Sequence, residues 1–438
     1  MTDGRINTTQ WKALIAAWLG WAFDGLDSYL YVIVGVPFVR KLLQNHAGEG
    51  VPVDPNDVMW KAALVQGFFL IGWAVGGAVF GRIGDRLGRT LTLTLTVLTY
   101  AIFTGLSAFA TEWWHLLIFR FIAALGIGGE WAAGSALVTE ILHPRHRAWA
   151  SATLQSGYMV GCISASLTVK GFTWAAGAWQ MPRLLEPNWV FLVGVLPALF
   201  TVWIRYAVPE PEQWKEAAAA QPHPPVSALF SRSLRRTTLL TSALTSIALT
   251  TVWAFLFFAP QAVRAMPALA GRTPAEINNL VSNVTIAYLL VNIAANYFST
   301  YLARALGHRR AFTIMFAASF LVFMVGWYRP LTPDNVYLVC CLTAFFPLGL
   351  FGMFPLYIPP LFPTLVRTLG AGFTYNIGRL ISAVGAFSGG WIAQNTGYEH
   401  AVWLTGFLYL PGLLVCLFIP EIPRTHDARP TDPQEPPP

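Results

Sequence analysis

Five side chains able to do charge chemistry stand inside runs of residues that are otherwise apolar. Asp24 and Asp27 fall near the middle of the first run, residues 11–39. Arg120 and Glu130 share the run 113–139, and Arg379 lies midway along the run 367–392. A carboxyl group can take up and release a proton, and a guanidinium can hold a carboxylate through two parallel hydrogen bonds. Each is expensive in hydrocarbon, where a charge at the bilayer centre costs at least ~2.5 kcal/mol on insertion scales. Such groups require a partner or a water-filled cavity, so together they predict a polar pathway through a membrane protein. Asp24 and Asp27 are a turn apart and share a helix face, as do Tyr375, Asn376 and Arg379. Gln155 and Tyr158 face one way on the run 149–171, and Tyr29 follows Asp27 on the first run.

The chemistry these types offer divides in two. Arg379 is the candidate holder of a substrate anion, with Asn376, Tyr375, Tyr29, Gln155 and Tyr158 as hydrogen-bonding or packing neighbours in the same cavity. Asp27, Asp24 and Glu130 are the candidate proton carriers. The structural alternative for Arg379 is an ion pair with Asp24 or Asp27. For the acids it is a fixed role, balancing a buried arginine or bracing one helix on another. Arg120 and Glu130 are nearly three turns apart, about 15 Å at 1.5 Å per residue, too far to pair directly.

The elements that must position these groups follow from composition and run length. The 438 residues are 55% hydrophobic and 11% charged, where a soluble domain carries about 25% charged residues. The surplus of apolar surface requires a bilayer. Apolar runs long enough to cross one occur at 11–39, 60–81, 91–110, 113–139, 149–171, 188–208, 237–262, 278–303, 310–328, 334–357, 367–392 and 398–419. The expected fold is therefore an all-α membrane protein of twelve transmembrane helices. Most of the 28 Lys and Arg residues fall on the side of the chain ends, which predicts cytoplasmic termini. The formal charge of +7 is explained by these loops and does not call for a nucleic acid partner. No cleavable leader is expected, since the first run is too long and carries two aspartates.

The Pro-rich connection 209–236 divides the chain into an N-terminal unit, 1–208, and a C-terminal unit, 237–422. Residues 423–438, rich in Pro and polar groups, are expected to be disordered. The two units carry the same marks in the same order. Gly88 answers to Gly307 and Pro144 to Pro363 at one common offset, and Pro209-Glu210 answers to Pro420-Glu421. The fold is thus expected as two pseudo-symmetric six-helix bundles.

The stretch Gly-Arg-Ile-Gly-Asp-Arg-Leu-Gly-Arg, with Gly81, Asp85, Arg86, Gly88 and Arg89, matches the loop signature between helices 2 and 3 of the major facilitator superfamily, which this chain resembles. There the glycines let two helix ends approach, and Asp85 can cap a helix or pair with an arginine. The resemblance implies a gate at these five residues. Arg147, in the loop after span 4, and Arg120, toward the outer end of its span, are also expected at gates. Within the superfamily the nearest resemblance is to the sialate, lactate and aromatic-acid proton symporters. Asp24-Gly25-Leu26-Asp27 carries it, with Arg120, Gly126, Gly128, Gly129, Glu130 and Trp131 on span 4, and Tyr375, Asn376, Gly378 and Arg379 on span 11. The Pro-Glu marks are similar to those of sugar porters. Span 7 holds Thr and Ser but lacks the lactate group's polar signature.

The resemblance implies proton symport of a small organic anion by alternating access, by a monomer in a bacterial inner membrane. Three readings stay beside it: a sugar or neutral-solute porter, a drug/proton antiporter, and a non-transporting membrane sensor. No enzyme, cofactor or metal is expected. The chain has no Gly-rich phosphate loop, its histidines lie in loops or near span ends, and Cys162, Cys340, Cys341 and Cys416 form no zinc or redox spacing.

Overall fold

A backbone crossing lipid must satisfy its own N–H and C=O groups, and helices do so within one segment. The computed structural model describes residues 6–48 and 52–422. The tail expected to be disordered, 423–438, lies outside the described residues. The elements are α1 (Thr8–Ala47), α2 (Pro55–Leu87), α3 (Arg89–Ser107), α4 (Trp113–Ile141), α5 (Pro144–Ala178), α6 (Leu196–Ala207), α7 (Arg235–Arg264), α8 (Pro274–Leu306), α9 (His308–Gly326), α10 (Val336–Tyr357), α11 (Arg367–Thr396) and α12 (Tyr398–Phe418). Among the described residues there is no strand. Nine of these helices are long and apolar enough to cross a membrane, and α5, α6 and α11 complete the twelve.

Three spans depart from a uniform α-helix; in span 12 the break is a 3₁₀ turn at Gly406–Leu408. Only the second part of span 6 is α-helical; it is entered through 3₁₀ turns at Trp189–Val195. Span 10 is broken into an α-helical start, a π-helical turn at Ala344–Leu348, a 3₁₀ turn at Leu350–Met353 and a last α-turn. Pro347 sits in the π turn, where its missing N–H and its ring break the regular ladder.

The duplication is physical as well as textual. α2 passes into α3 through Gly88 alone, at φ 105°, and α8 into α9 through Gly307 alone, at φ 89°. A one-residue joint in that region favours glycine, which has no Cβ to clash. The glutamate closing each half then caps the helix that this joint starts. Glu210 accepts from the N–H groups of Arg89 (2.7 Å), Thr90 (3.2 Å) and Leu91 (3.0 Å). Glu421 accepts from those of His308 (2.6 Å) and Arg309 (2.9 Å). A carboxylate at a helix N-terminus satisfies orphan donors and meets the positive end of the helix dipole.

Within the first half, α1 packs on α5 and α2 on α4; α2 meets α11 and α5 meets α8 across the halves. The connection 209–236 includes a helix, Glu212–Ala220. Trp214 on that helix donates Nε1–H to the carbonyl of Asp85 at 3.0 Å, and Gln213 accepts from Arg367 at 3.2 Å. The connection is docked against both halves at the face bearing the chain ends.

Candidate functional site

Between the halves lies a cavity lined by residues of both. Its rings are Trp21, Trp73, Tyr158, Trp253, Phe351 and Tyr375, from both halves. Among the described residues lining it, Arg379 is the one that is charged. This arginine is 3% exposed, and its guanidinium carbon stands 4.0 Å from the Trp73 ring centre and 4.9 Å from that of Tyr375. Cation–π attraction of this kind reaches about 2 kcal/mol when desolvated. Nη1 donates to Asn376 Oδ1, while Nε has no protein partner among the described residues. Tyr375 is fixed by Trp131, which stacks on it at 3.8 Å with the planes 11° apart. Trp131 Nε1 in turn donates to Gln155 Oε1 at 3.4 Å.

Of the residues expected in the cavity, Arg379, Tyr375, Gln155 and Tyr158 line it. Asn376 stands behind them, donating to the carbonyls of Gly372 (2.8 Å) and of Gly128 on α4 (3.2 Å). Tyr29 is not among the lining residues; it is half-buried and packs against the apolar core.

The three candidate proton carriers separate into two systems. Asp27 is paired: Arg120 Nη1 lies 2.7 Å away, Thr104 donates at 2.5 Å, and Arg120 Nη2 reaches the Asp27 carbonyl at 3.2 Å. The pair is buried in the first half, with the guanidinium 4.6 Å over the Phe69 ring. Every partner Arg120 has among the described residues belongs to its own half. Asp24 and Glu130 form the second system. Their carboxyl groups are within hydrogen-bonding reach of each other, and both are fully buried. Neither has a cationic hydrogen-bond partner among the described residues, although Arg379 lies close enough to act on Asp24 through its charge. The bare backbone of Gly20 on α1 leaves the room that the Glu130 carboxyl occupies.

A second polar cluster closes the terminal face. Asp85 accepts from the backbone N–H groups of Thr368 (3.1 Å) and Leu369 (2.9 Å), capping α11 of the other half. Arg89 donates to both oxygens of Glu140, at 2.9 and 2.8 Å, and to the carbonyl of Thr364 at 2.5 Å. Glu140 also accepts from Arg367 at 2.8 Å. Gly81 allows α2 to cross α11 here, since a Cβ on it would meet the Leu369 Cα at 2.9 Å. Arg86 is exposed beside this cluster, with its carbonyl 3.3 Å from His223 Nε2. Arg147 holds its own loop, donating to the carbonyl of Leu142 at 3.1 Å; Arg367 does the same to Phe362 at 3.3 Å in the other half. Arg379 lies about 18 Å further along α11 than Arg367, at 1.5 Å per residue. The halves are therefore closed against each other at the terminal face, with the cavity beyond the closure.

This arrangement, two six-helix halves around a central cavity, has counterparts. A sequence profile of the Major Facilitator Superfamily matches residues 17–358. The chain belongs to the Major Facilitator Superfamily. It is an integral membrane transporter of small molecules and not an enzyme. A sialic acid transporter of Escherichia coli is 28% identical over 422 residues, covering 95% of this chain and 91% of that one. A cis,cis-muconate transport protein of Acinetobacter baylyi is 26% identical over 433 residues, covering 95% and 96%. A probable 4-methylmuconolactone transporter of Cupriavidus pinatubonensis is 27% identical over 308 residues, covering 70% and 69%. The resemblance to organic-acid carriers of the superfamily holds. The same fold is seen in the proton:xylose symporter XylE, with a TM-score of 0.73 at 15% identity over 94% of this chain and 96% of that one.

Sequence reasoning missed Glu140, Trp21 and Trp73. Glu140 ends α4 just before a Pro-containing loop and looks like any solvated acid; its partners arrive from α3 and from the other half. Trp21 and Trp73 sit in runs rich in aromatic residues, where a cavity ring and a lipid-facing ring look alike. The signal available for Trp73 was its place among the glycines of span 2, the face that packs inward.

Proposed function

We propose that this transporter is a symporter that carries a small organic anion, a carboxylate, together with a proton by alternating access. It acts as a monomer in a bacterial inner membrane with both termini cytoplasmic. The observation that carries the reading is Arg379, a buried guanidinium on the cavity wall with no carboxylate bonded to it among the described residues. A cation held in that way is completed by an anionic ligand. The basic residues on the terminal face support the orientation.

The proton resides on the Asp24–Glu130 pair. Two buried carboxyl groups in contact hold one proton between them more cheaply than two negative charges. The positive charge of Arg379 and a proton added at Asp24 repel each other. An anion seated on Arg379 cancels that influence, so anion and proton bind with mutual help, and the coupling is reciprocal. Loading both leaves the cavity's net charge unchanged but neutralises the separate charges at Arg379 and at the carboxyl pair, which permits closure and the passage of the halves to the other state. Asp27 instead neutralises Arg120 and steadies the first bundle.

The test is uptake of carboxylates into proteoliposomes with and without an inwardly directed proton gradient, acid outside. Uptake is expected to be driven by the gradient and to lose the drive in Asp24→Asn and Glu130→Gln. Arg379→Lys keeps a charge but loses the planar fork, and is expected to weaken binding about 10- to 150-fold, the value of a charge-assisted hydrogen bond at about 1.5–3 kcal/mol. Uptake indifferent to pH would overturn the coupling, and unchanged affinity in Arg379→Lys would overturn the anion site.

A further inference from the structure

A phenol is buried among the acids of the first half, and neither the cavity wall nor an ion pair uses it. Tyr100 on α3 is fully buried, and its hydroxyl has no hydrogen-bond partner among the described residues. A hydroxyl taken out of water without a partner carries a cost that a phenylalanine in the same place would avoid. Such a group calls for a partner in some state of the molecule.

α3 runs antiparallel to α4 and touches it at Gly126, where a Cβ would stand 3.0 Å from the Tyr100 nitrogen. Along α4, Gly126 lies about 9 Å past Arg120 and about 6 Å before Glu130, at 1.5 Å per residue. Tyr100 is therefore inserted between the two carboxyl systems. One turn on, Thr104 shows what this helix face does: its hydroxyl donates to Asp27 at 2.5 Å, beside Arg120. Tyr100 offers the preceding hydroxyl of that face to the other system. It stands close enough to Asp24, Glu130 and Asp27 to be acted on by their charges, by Asp24 most. The charged groups around it are thus Asp24 and Asp27 from α1 and Glu130 and Arg120 from α4, with Arg379 of α11 acting on Asp24.

The two systems differ in what steadies their negative charge. Asp27 has a guanidinium and a threonine hydroxyl. Asp24 and Glu130 have each other, which serves while a proton lies between them. When it leaves, two negative charges stand in contact, with no cationic hydrogen-bond partner among the described residues. A neutral donor is what the emptied pair requires, because a hydrogen bond to a charged form favours that form. A tyrosine hydroxyl can donate in this way while keeping its own proton.

We propose that Tyr100 is a positioning residue for proton coupling: its hydroxyl donates to the Asp24–Glu130 pair once the proton has left, so that the pair can give its proton up. This rests on the reading of Asp24 and Glu130 as the proton site and extends that site to a third helix.

The experiment follows the infrared band of protonated carboxyl groups in the purified full-length chain as pH is raised, with no ligand needed. The part of the band that Glu130→Gln removes belongs to the pair. In Tyr100→Phe the midpoint of that part is expected to move up by about one to two pH units, the weight of one hydrogen bond to a charged group. Difluorotyrosine placed at position 100 keeps the ring and the hydroxyl but is the stronger donor, and is expected to move the midpoint down. A change in packing alone would not reverse sign between the two. A midpoint equal in the parent and Tyr100→Phe would overturn the role of Tyr100 and leave the proton pair standing. Should Tyr100→Phe fail to fold, the difluorotyrosine chain decides, and a midpoint unchanged or raised in it would overturn the role. A titrating band that Glu130→Gln leaves intact would overturn the pair, and this inference with it.

Discussion

Replacing Glu140 by Gln keeps the side chain's shape and removes its charge. In the closed terminal face Glu140 joins Arg89 of its own half to Arg367 of the other at 2.8 Å. The Arg89 contact is internal to the first half and persists when the halves part. The Arg367 contact crosses the halves and exists only in the closed state. The substitution therefore weakens the closed state relative to the open one by about one charge-assisted hydrogen bond between buried groups, about 1.5–3 kcal/mol. At 1.36 kcal/mol per tenfold, the equilibrium moves about 10- to 150-fold. A population about 1% open would become about 9–60% open. Spin labels on Arg145→Cys and Arg310→Cys, exposed on the terminal face of either half, report the distance by electron–electron double resonance. The four native cysteines are buried or half-buried. The long-distance population is expected to grow in Glu140→Gln and, by the same contact, in Arg367→Gln. Distance distributions unchanged in both variants would refute the assignment of this cluster as the closure.

Gly77 touches Gly372 and Asn376 across the halves, and a Cβ there would stand 2.8 Å from the Gly372 carbonyl oxygen. Gly77→Leu is expected to bar closure, abolishing transport while retaining ligand binding, as read by uptake against thermal shift. Arg120→Ala strands Asp27 in the first bundle and is expected to cost about 3–5 kcal/mol of stability; Asp27→Ala added to it should restore part of the loss, since no uncompensated charge then remains. Glu421 is outside the spans. Burial alone would push its carboxyl up, but the hydrogen bonds from His308 and Arg309 prevail and hold it at about 2 against an ordinary 4.5. A carboxyl depressed in the folded state stabilises fully above its unfolded value and ceases to as pH falls through the folded one. The stability gap between the parent and Glu421→Gln should therefore be constant above about pH 5 and shrink toward pH 2, measured as melting temperature in detergent.

Much of this molecule was legible one residue at a time. Charge in hydrocarbon is costly enough that Asp24, Asp27, Arg120, Glu130 and Arg379 announced themselves without a structure, and the length of apolar runs set the helices. Duplicated marks, Gly88 with Gly307 and Glu210 with Glu421, predicted two like halves because the same joint needs the same residues. Partnership was a different matter. Asp24 and Asp27 share a helix and a turn, yet one faces Glu130 and the other Arg120. Sequence spacing gives the angle between two side chains on a helix and says nothing of which neighbouring helix stands opposite each. Glu140 and Trp73 acquire their roles from α11, far along the chain, so no local pattern could mark them. The sequence by itself determined which groups had to find partners, because the desolvation penalty belongs to the residue. Only the packing of α1 on α4 and of α2 on α11 decided who the partners are, because a hydrogen bond or an ion pair belongs to two surfaces brought together in space.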